Sequence, residues 1–193
     1  LFYNFIIFFG TVALYRAFIK IFPTAFYQLI ICIFILPSAL FFSSMIHRDG
    51  LILLSLSMII YHILLIMNHQ FSWKRIWIII LFLALIFLLR NFVFAALIPA
   101  LIAWIISYKF PKYAFISFVG VYVFFTILFF TSGYISPRAD LPQYVSSRQL
   151  SFVEIGKSGA STINIKPLYP DFRSFLTNAP QAFDHGLLRP HLS

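Results

Sequence analysis

Residues 50–73 read GLILLSLSMIIYHILLIMNHQFSW and contain no charged side chain. A helix that crosses the hydrocarbon core of a bilayer needs about 20 largely apolar residues. This stretch has that length, and so do two further uncharged stretches, 21–46 and 113–137. The pattern therefore predicts an all-α integral membrane protein.

The composition indicates the same class of protein. Of the 193 residues, 62% are hydrophobic, 10% are charged and 26 are phenylalanine, and the mean hydropathy is +0.96. Soluble domains carry about 25% charged residues, and at this size roughly 30% of their surface stays exposed to water. These values exclude a soluble globule, a disordered chain and a nucleic-acid-binding domain as the main interpretation. The single cysteine, Cys32, excludes an intrachain disulfide.

The charges divide the chain near Gly133. We predict a transmembrane helical bundle over residues 1–132 and an extracytoplasmic polar tail of short helices over residues 133–193. The chain begins at Leu1 inside an apolar run and stops soon after Arg189. We therefore expect a fragment of a longer protein, truncated at both ends.

Uncharged stretches over 1–15, 76–89 and 91–108 bring the predicted number of spans to about six. The two stretches around Arg90 allow two interpretations. In the favoured one, the flanking residues Lys74 and Arg75 snorkel and a hairpin forms from spans 73–90 and 91–108. In the other, one helix runs through Arg90 and a re-entrant segment follows Pro99.

The distribution of basic residues favours the hairpin. With six spans, six lysines and arginines lie in the connections on one side and two, Arg48 and Arg90, lie on the other. The positive-inside rule places the side with six in the cytoplasm. All five carboxylates then lie on the extracytoplasmic side with the tail, so we expect any polar chemistry there.

Proline-marked turns predict short helices in the tail. Asp140 is the expected N-cap of the first, with Pro142 in its first turn, and residues 156–159 end it. Residues 161–168 predict a weak strand or an extended link. An apolar stripe after Asp171 predicts a second helix, which packs on the membrane surface or on the bundle, and Pro180 is expected to start a third.

Two motifs give little support for a phosphate-binding loop or a metal site. Gly156-Lys157-Ser158 lacks the glycine that a phosphate loop needs five residues earlier, because Ser151 occupies that position. His62 and His69 share a helical face, but two histidines without a third ligand make a poor metal site. We predict a helix end for the first motif and no bound metal for the second.

The stretch LPSALFFSSMIHRDG, residues 36–50, is the most informative for function. It brings His47, Arg48 and Asp49 together at the start of the next span. In one interpretation Asp49 caps that helix and pairs with Arg48. In the other, Arg48 and Arg90 bind a diphosphate, since the arginine fork suits phosphate, and Asp49 or His47 handles a proton.

The same residues carry a resemblance. Pro37-Ser38, Phe41-Phe42-Ser43-Ser44 and His47-Arg48-Asp49-Gly50 resemble bacterial multispanning polysaccharide-assembly proteins, namely polymerase-like and lipid-linked glycosyltransferase proteins of O-antigen, capsule and exopolysaccharide pathways. Arg148-Gln149 and the tail around Arg189-Pro190 are also similar to that group. The resemblance implies undecaprenyl-linked sugars as substrates on the extracytoplasmic face of the bacterial inner membrane, and leaves the need for a cofactor or metal open.

The resemblance and the residues together define one candidate site. Asp49 and His47 are the candidate catalytic residues. The candidate residues for binding substrate phosphate are Arg48, Arg90, Arg148 and Arg189. We expect glycosyl transfer or polymerisation on a polyprenyl-diphosphate-linked saccharide. A transporter or flippase of such a lipid or of an anionic solute is the alternative, and a non-catalytic assembly subunit is third.

Overall fold

A computed structural model describes residues 2–35, 48–68, 70–135, 140–157 and 166–184 of the chain. Over these residues the protein is 89% helical and has no strand, which confirms the predicted all-α class. The helices are α1 (Phe2–Ile21), α2 (Phe26–Ile30, continued by a π-helical turn, Ile31–Ile35), α3 (Arg48–Met67), α4 (Trp73–Leu89), α5 (Asn91–Lys109), α6 (Ala114–Ile135, preceded by a 3₁₀ turn, Pro111–Tyr113), α7 (Leu141–Lys157) and α8 (Phe172–Phe183).

Four of the described helices are long and apolar enough to cross a membrane, namely α1, α3, α5 and α6. The chain is therefore an integral membrane protein whose environment is a lipid bilayer. Helix α4 has 17 residues, which span about 25 Å against a hydrocarbon core of about 30 Å. The predicted span over 21–46 continues into residues outside the described part, so the count of six spans stays a prediction.

The chain forms two compact units, Leu1–Ile98 and Pro99–Ser193. This division reflects which residues pack together, whereas the predicted boundary near Gly133 reflects the distribution of charged residues along the sequence. The assignment of residues 1–132 to a bundle and 133–193 to an extracytoplasmic tail stays a prediction.

In the first unit, α3 packs against both α1 and α4. The helix backbones approach closely at Gly10 of α1, where a Cβ atom would stand only 2.6 Å from the Cα atom of Leu54 in α3. Small residues let helix backbones approach closely in a membrane. The buried apolar side chains of this unit are Ile7, Ala13, Ala17, Leu54, Ile59, Ile63, Leu65 and Ile86.

Three hydroxyl groups are buried in the same core, and each donates to a backbone carbonyl of its own helix. Ser55 Oγ donates to Leu51 O and Ser57 Oγ donates to Leu53 O, both at 2.7 Å. Thr11 Oγ1 donates to Phe8 O at 2.8 Å. Because these bonds satisfy the hydroxyl protons locally, the polar side chains fit an apolar interior without partners on other helices.

The helix break predicted at Arg90 is confirmed. Helix α4 ends at Leu89, Arg90 is extended with φ −150° and ψ 95°, and α5 begins at Asn91. Helix α5 continues through Pro99. The alternative of one helix through Arg90 followed by a re-entrant segment after Pro99 is therefore wrong.

In the second unit, a capped turn joins α6 to α7. The Gln143 backbone N–H donates to Asp140 Oδ1 at 3.0 Å, which confirms Asp140 as the N-cap. The Leu141 N–H donates to Ser132 Oγ at 3.1 Å, so the last turn of α6 also binds the start of α7. Helix α7 ends at Lys157, within the predicted 156–159 end.

Helix α8 follows Asp171, as the apolar stripe predicted. The expectation that Pro180 starts a third tail helix is wrong, because α8 continues through Pro180 to Phe183. A proline inside a helix removes one backbone hydrogen bond, and the helix continues around it here. The predicted link over 161–168 lies mostly outside the described residues, and residues 166–169 are neither helix nor strand.

Candidate functional site

The candidate site lies where α3 begins and α4 ends. Helix α3 ends at Met67, α4 begins at Trp73, and the two helices pack together, so the start of α3 and the end of α4 meet. Arg90 Nη2 lies 3.2 Å from Asp49 Oδ1. The structure thus brings together two predicted site residues that are 41 positions apart in the sequence.

The helix ends affect the two partners of the ion pair differently. Asp49 lies in the first turn of α3, where the partial positive charge of a helix N-terminus stabilises a carboxylate. Arg90 lies between the last turn of α4, whose dipole favours a cation, and the first turn of α5, whose dipole opposes one. The Asp49 side chain is 26% exposed and that of Arg90 is 52% exposed, and an exposed pair of this kind contributes about 0.2–1 kcal/mol.

These positions correct one interpretation from the sequence. Asp49 was expected to cap α3 and to pair with Arg48. The structure places Asp49 inside the first turn, since α3 begins at Arg48, so Asp49 is not the N-cap. It also forms an ion pair with Arg90 that the sequence did not predict. Local sequence patterns could not predict this ion pair, because Asp49 and Arg90 are far apart along the chain and meet only when α3 and α4 pack together.

Arg48 precedes Asp49 in the chain at the start of α3, and we call the two arginines and the carboxylate the Arg48–Asp49–Arg90 cluster. Arg48 is exposed, and among the described residues it takes part in no ion pair. The cluster therefore has an excess positive charge at a helix end. Such a cluster can bind an anion through planar guanidinium groups.

The other predicted site residues lie elsewhere. Arg148 is on α7 in the second unit, where its Nη2 donates to Tyr144 Oη at 3.0 Å and its guanidinium carbon lies 5.3 Å from the Tyr144 ring centroid. His47 and Arg189 lie outside the described residues. Tyr144 was missed from the sequence, although its spacing of four residues from Arg148 is the signal for a contact on one helix face.

Neither weak motif gains support. The described residues contain no group of three histidine, cysteine, aspartate or glutamate side chains placed to hold a metal, and His69 lies outside them. Gly156 and Lys157 belong to the last turn of α7, so they do not form the open loop that cradles phosphate.

Comparison with known proteins identifies no family for the chain. No protein-family model matches the sequence, and no curated protein and no solved structure is significantly similar to it. The function must therefore be argued from the residues and their geometry.

Proposed function

We propose that this chain belongs to an enzyme of the bacterial inner membrane that transfers or polymerises a saccharide carried on a polyprenyl diphosphate, at the extracytoplasmic face. The observation that carries the proposal is the Asp49–Arg90 ion pair beside Arg48 at one end of α3 and α4. The cluster lies at the end of a candidate membrane span. The diphosphate of a bilayer-anchored donor lies at that depth.

The cluster has the groups that such a reaction requires. The diphosphate leaving group is anionic, and Arg48, which is exposed, offers it a first partner. Arg90 then exchanges the Asp49 carboxylate for a phosphate oxygen, as its half-exposed side chain permits. Preorganised cations of this kind stabilise the charge that develops as the leaving group departs.

The exchange also releases Asp49 from its ion pair with Arg90, and Asp49 is the candidate for proton transfer. Asp49 accepts the proton of an acceptor hydroxyl, whose oxygen attacks the anomeric carbon of the donor sugar. The bond from that carbon to the diphosphate oxygen breaks, and the electron pair leaves on the diphosphate, next to the two arginines. His47 is the candidate to share the proton transfer.

Binding of undecaprenyl diphosphate to the full chain in lipid nanodiscs tests the role of the arginines. We expect Arg48→Ala and Arg90→Ala to weaken binding at least about tenfold, the effect of removing one charge-assisted contact of about 1.5–3 kcal/mol. Lysine at either position should restore binding only in part, because it lacks the bidentate fork. Lys112→Ala is the matched control, since Lys112 is an exposed cation of the second unit. Unchanged binding by Arg48→Ala would contradict the proposal.

Asp49→Asn separates a catalytic carboxylate from a structural one. Asparagine keeps a hydrogen bond to Arg90 but cannot accept the acceptor's proton. We expect normal membrane insertion and normal binding of undecaprenyl diphosphate, with surface polysaccharide in native cells lowered at least about 100-fold, the contribution of general base catalysis. A near-normal amount of polysaccharide would show that Asp49 has a structural role, and it would leave the proposed mechanism without a general base.

A further inference from the structure

Helix α8 has one apolar face and one polar face. The apolar side chains recur with helical spacing and are Phe172, Phe175, Leu176, Ala179 and Phe183. The opposite face carries Arg173, Ser174, Thr177, Asn178 and Gln181. A short helix with such a division lies either against a protein core or at a membrane surface.

Part of the apolar face packs on α6 through aromatic rings. The Phe130 ring lies 5.2 Å from that of Phe172 and 5.4 Å from that of Phe175, centroid to centroid. The Phe129 ring lies 5.7 Å from that of Phe175. All these contacts are edge-to-face, the arrangement that aromatic pairs favour. They place the N-terminal half of α8 beside residues 129 and 130 of α6.

These contacts place α8 near the Tyr134 end of a candidate membrane span. The candidate span formed by α6 and the preceding turn runs from Pro111 to Tyr134. Phe130 is four residues before its end, which corresponds to about 6 Å along the helix axis. Amphipathic helices that lie in the membrane interface are buried by about 5–10 Å at the boundary between headgroups and acyl chains. A position about 6 Å inside the end of the span falls within that layer.

The rest of the apolar face has no protein cover among the described residues. Leu176 and Phe183 are each 63% exposed. Between α8 and α6 there is also an open apolar groove of about 430 Å³, which extends along α6 to Tyr122. Thr126 lies in the groove, but its hydroxyl donates to Tyr122 O at 2.8 Å. The lining of the groove therefore suits a hydrocarbon occupant better than a polar one.

We infer that α8 is an interfacial membrane helix, and that the acyl chains of bilayer phospholipids cover Leu176 and Phe183 and fill the groove against α6. Lipid is the occupant because one wall of the groove is a candidate membrane span, and the described residues bury none of that span. Arg173 and Thr177, on the polar face, then meet headgroups and water. This inference is independent of the proposed glycosyl transfer.

Spin-label accessibility tests the inference on the full chain in vesicles of phosphatidylcholine and phosphatidylglycerol. The background variant is Cys32→Ser, which removes the single native cysteine. Nitroxides are attached at Leu176→Cys and Phe183→Cys on the apolar face, and at Arg173→Cys and Thr177→Cys as matched polar-face controls. Oxygen, which partitions into lipid, and a water-soluble nickel chelate are the two relaxation agents.

We expect the apolar-face labels to collide several-fold more with oxygen than with the nickel chelate, and the polar-face labels to show the reverse. Equal nickel accessibility at all four positions would place α8 in water and overturn the inference. Protection of Leu176 and Phe183 from both agents would show that protein, either a second copy or another segment, covers the face, and would overturn it too. If accessibility did not differ between the apolar-face and polar-face labels, α8 would not be an amphipathic helix at the membrane surface, and the inference would be overturned.

Discussion

At the scale of single residues, Gly10 sets how closely α1 and α3 approach. A Cβ atom there would lie 2.6 Å from Leu54 Cα and 2.9 Å from Leu54 Cδ1. The nearer of these atoms belongs to backbone, so a rotamer change cannot relieve the clash. Since α3 also carries Asp49, any shift of α3 moves the Arg48–Asp49–Arg90 cluster with it.

We therefore expect Gly10→Ala to lower the free energy of unfolding by about 1–3 kcal/mol, the usual cost of overpacking a core. The matched control is Gly120→Ala on α6, where an added Cβ atom meets nothing within 4 Å. That change should be neutral or should stabilise by up to about 1 kcal/mol through helix propensity. Unfolding of the purified chain by titration with sodium dodecyl sulfate measures both. Equal stability of the two variants would contradict the close approach of α1 and α3.

At the scale of elements, three side-chain amides hold the segment of residues 166–169 between α7 and α8. Gln149 of α7 donates from Nε2 to Lys166 O at 3.1 Å and accepts the Leu168 N–H at 2.7 Å. Gln181 of α8 accepts the Lys166 N–H at 3.3 Å, and Asn178 donates to Pro167 O at 3.5 Å. Gln149 bonds the segment as a neighbouring strand would, since its side-chain amide both donates and accepts hydrogen bonds.

Removing the Gln149 amide should free this segment. We expect Gln149→Ala to raise the rate of hydrogen exchange in peptides that contain Leu168, because that amide proton loses its acceptor. Ser151→Ala is the control, since the Ser151 hydroxyl donates only within its own helix, to Ser147 O. Exchange is followed by mass spectrometry of the full chain in detergent. An unchanged rate at Leu168 would show that Gln149 does not hold the segment.

At the scale of the whole molecule, the basic residues predict which end of each span faces the cytoplasm. Helices α3 and α4 pack together and are joined by a short loop. That loop precedes Lys74 and Arg75, whereas the opposite ends carry Arg48, Asp49 and Arg90. These two ends carry two basic residues each, but over the six predicted spans the basic residues number six on the side of the loop and two on the side of the cluster. The positive-inside rule therefore predicts a cytoplasmic loop and an extracytoplasmic cluster.

Labelling of single cysteines in intact cells tests this topology in the Cys32→Ser background. Asn68 and Asn91 are both exposed and lie at opposite ends of α4. A membrane-impermeant maleimide should label Asn91→Cys in intact cells and Asn68→Cys only after the membrane is permeabilised. The reverse result would place the cluster in the cytoplasm and exclude an extracytoplasmic reaction, and labelling of both in intact cells would show that α4 does not span.

Much of the fold follows from local pattern. The uncharged stretches predicted apolar helices, Arg90 marked the break between α4 and α5, and Asp140 marked the start of α7. Pattern failed at Pro180, where a helix was expected to restart and α8 instead continues. A proline disfavours a helix interior but does not forbid it. Whether a helix continues through a proline therefore depends on the contacts that the whole helix makes.

The sequence by itself determined the class of protein, since composition and the length of uncharged stretches depend only on the transfer of side chains between water and lipid. It also named Arg48, Asp49 and Arg90 as candidates, because ionisable residues beside apolar spans are conspicuous. Only the tertiary structure decided that Asp49 pairs with Arg90 and that Phe172 and Phe175 pack on α6. Those contacts join residues more than 40 positions apart, and they depend on how whole helices pack, which no local periodicity encodes.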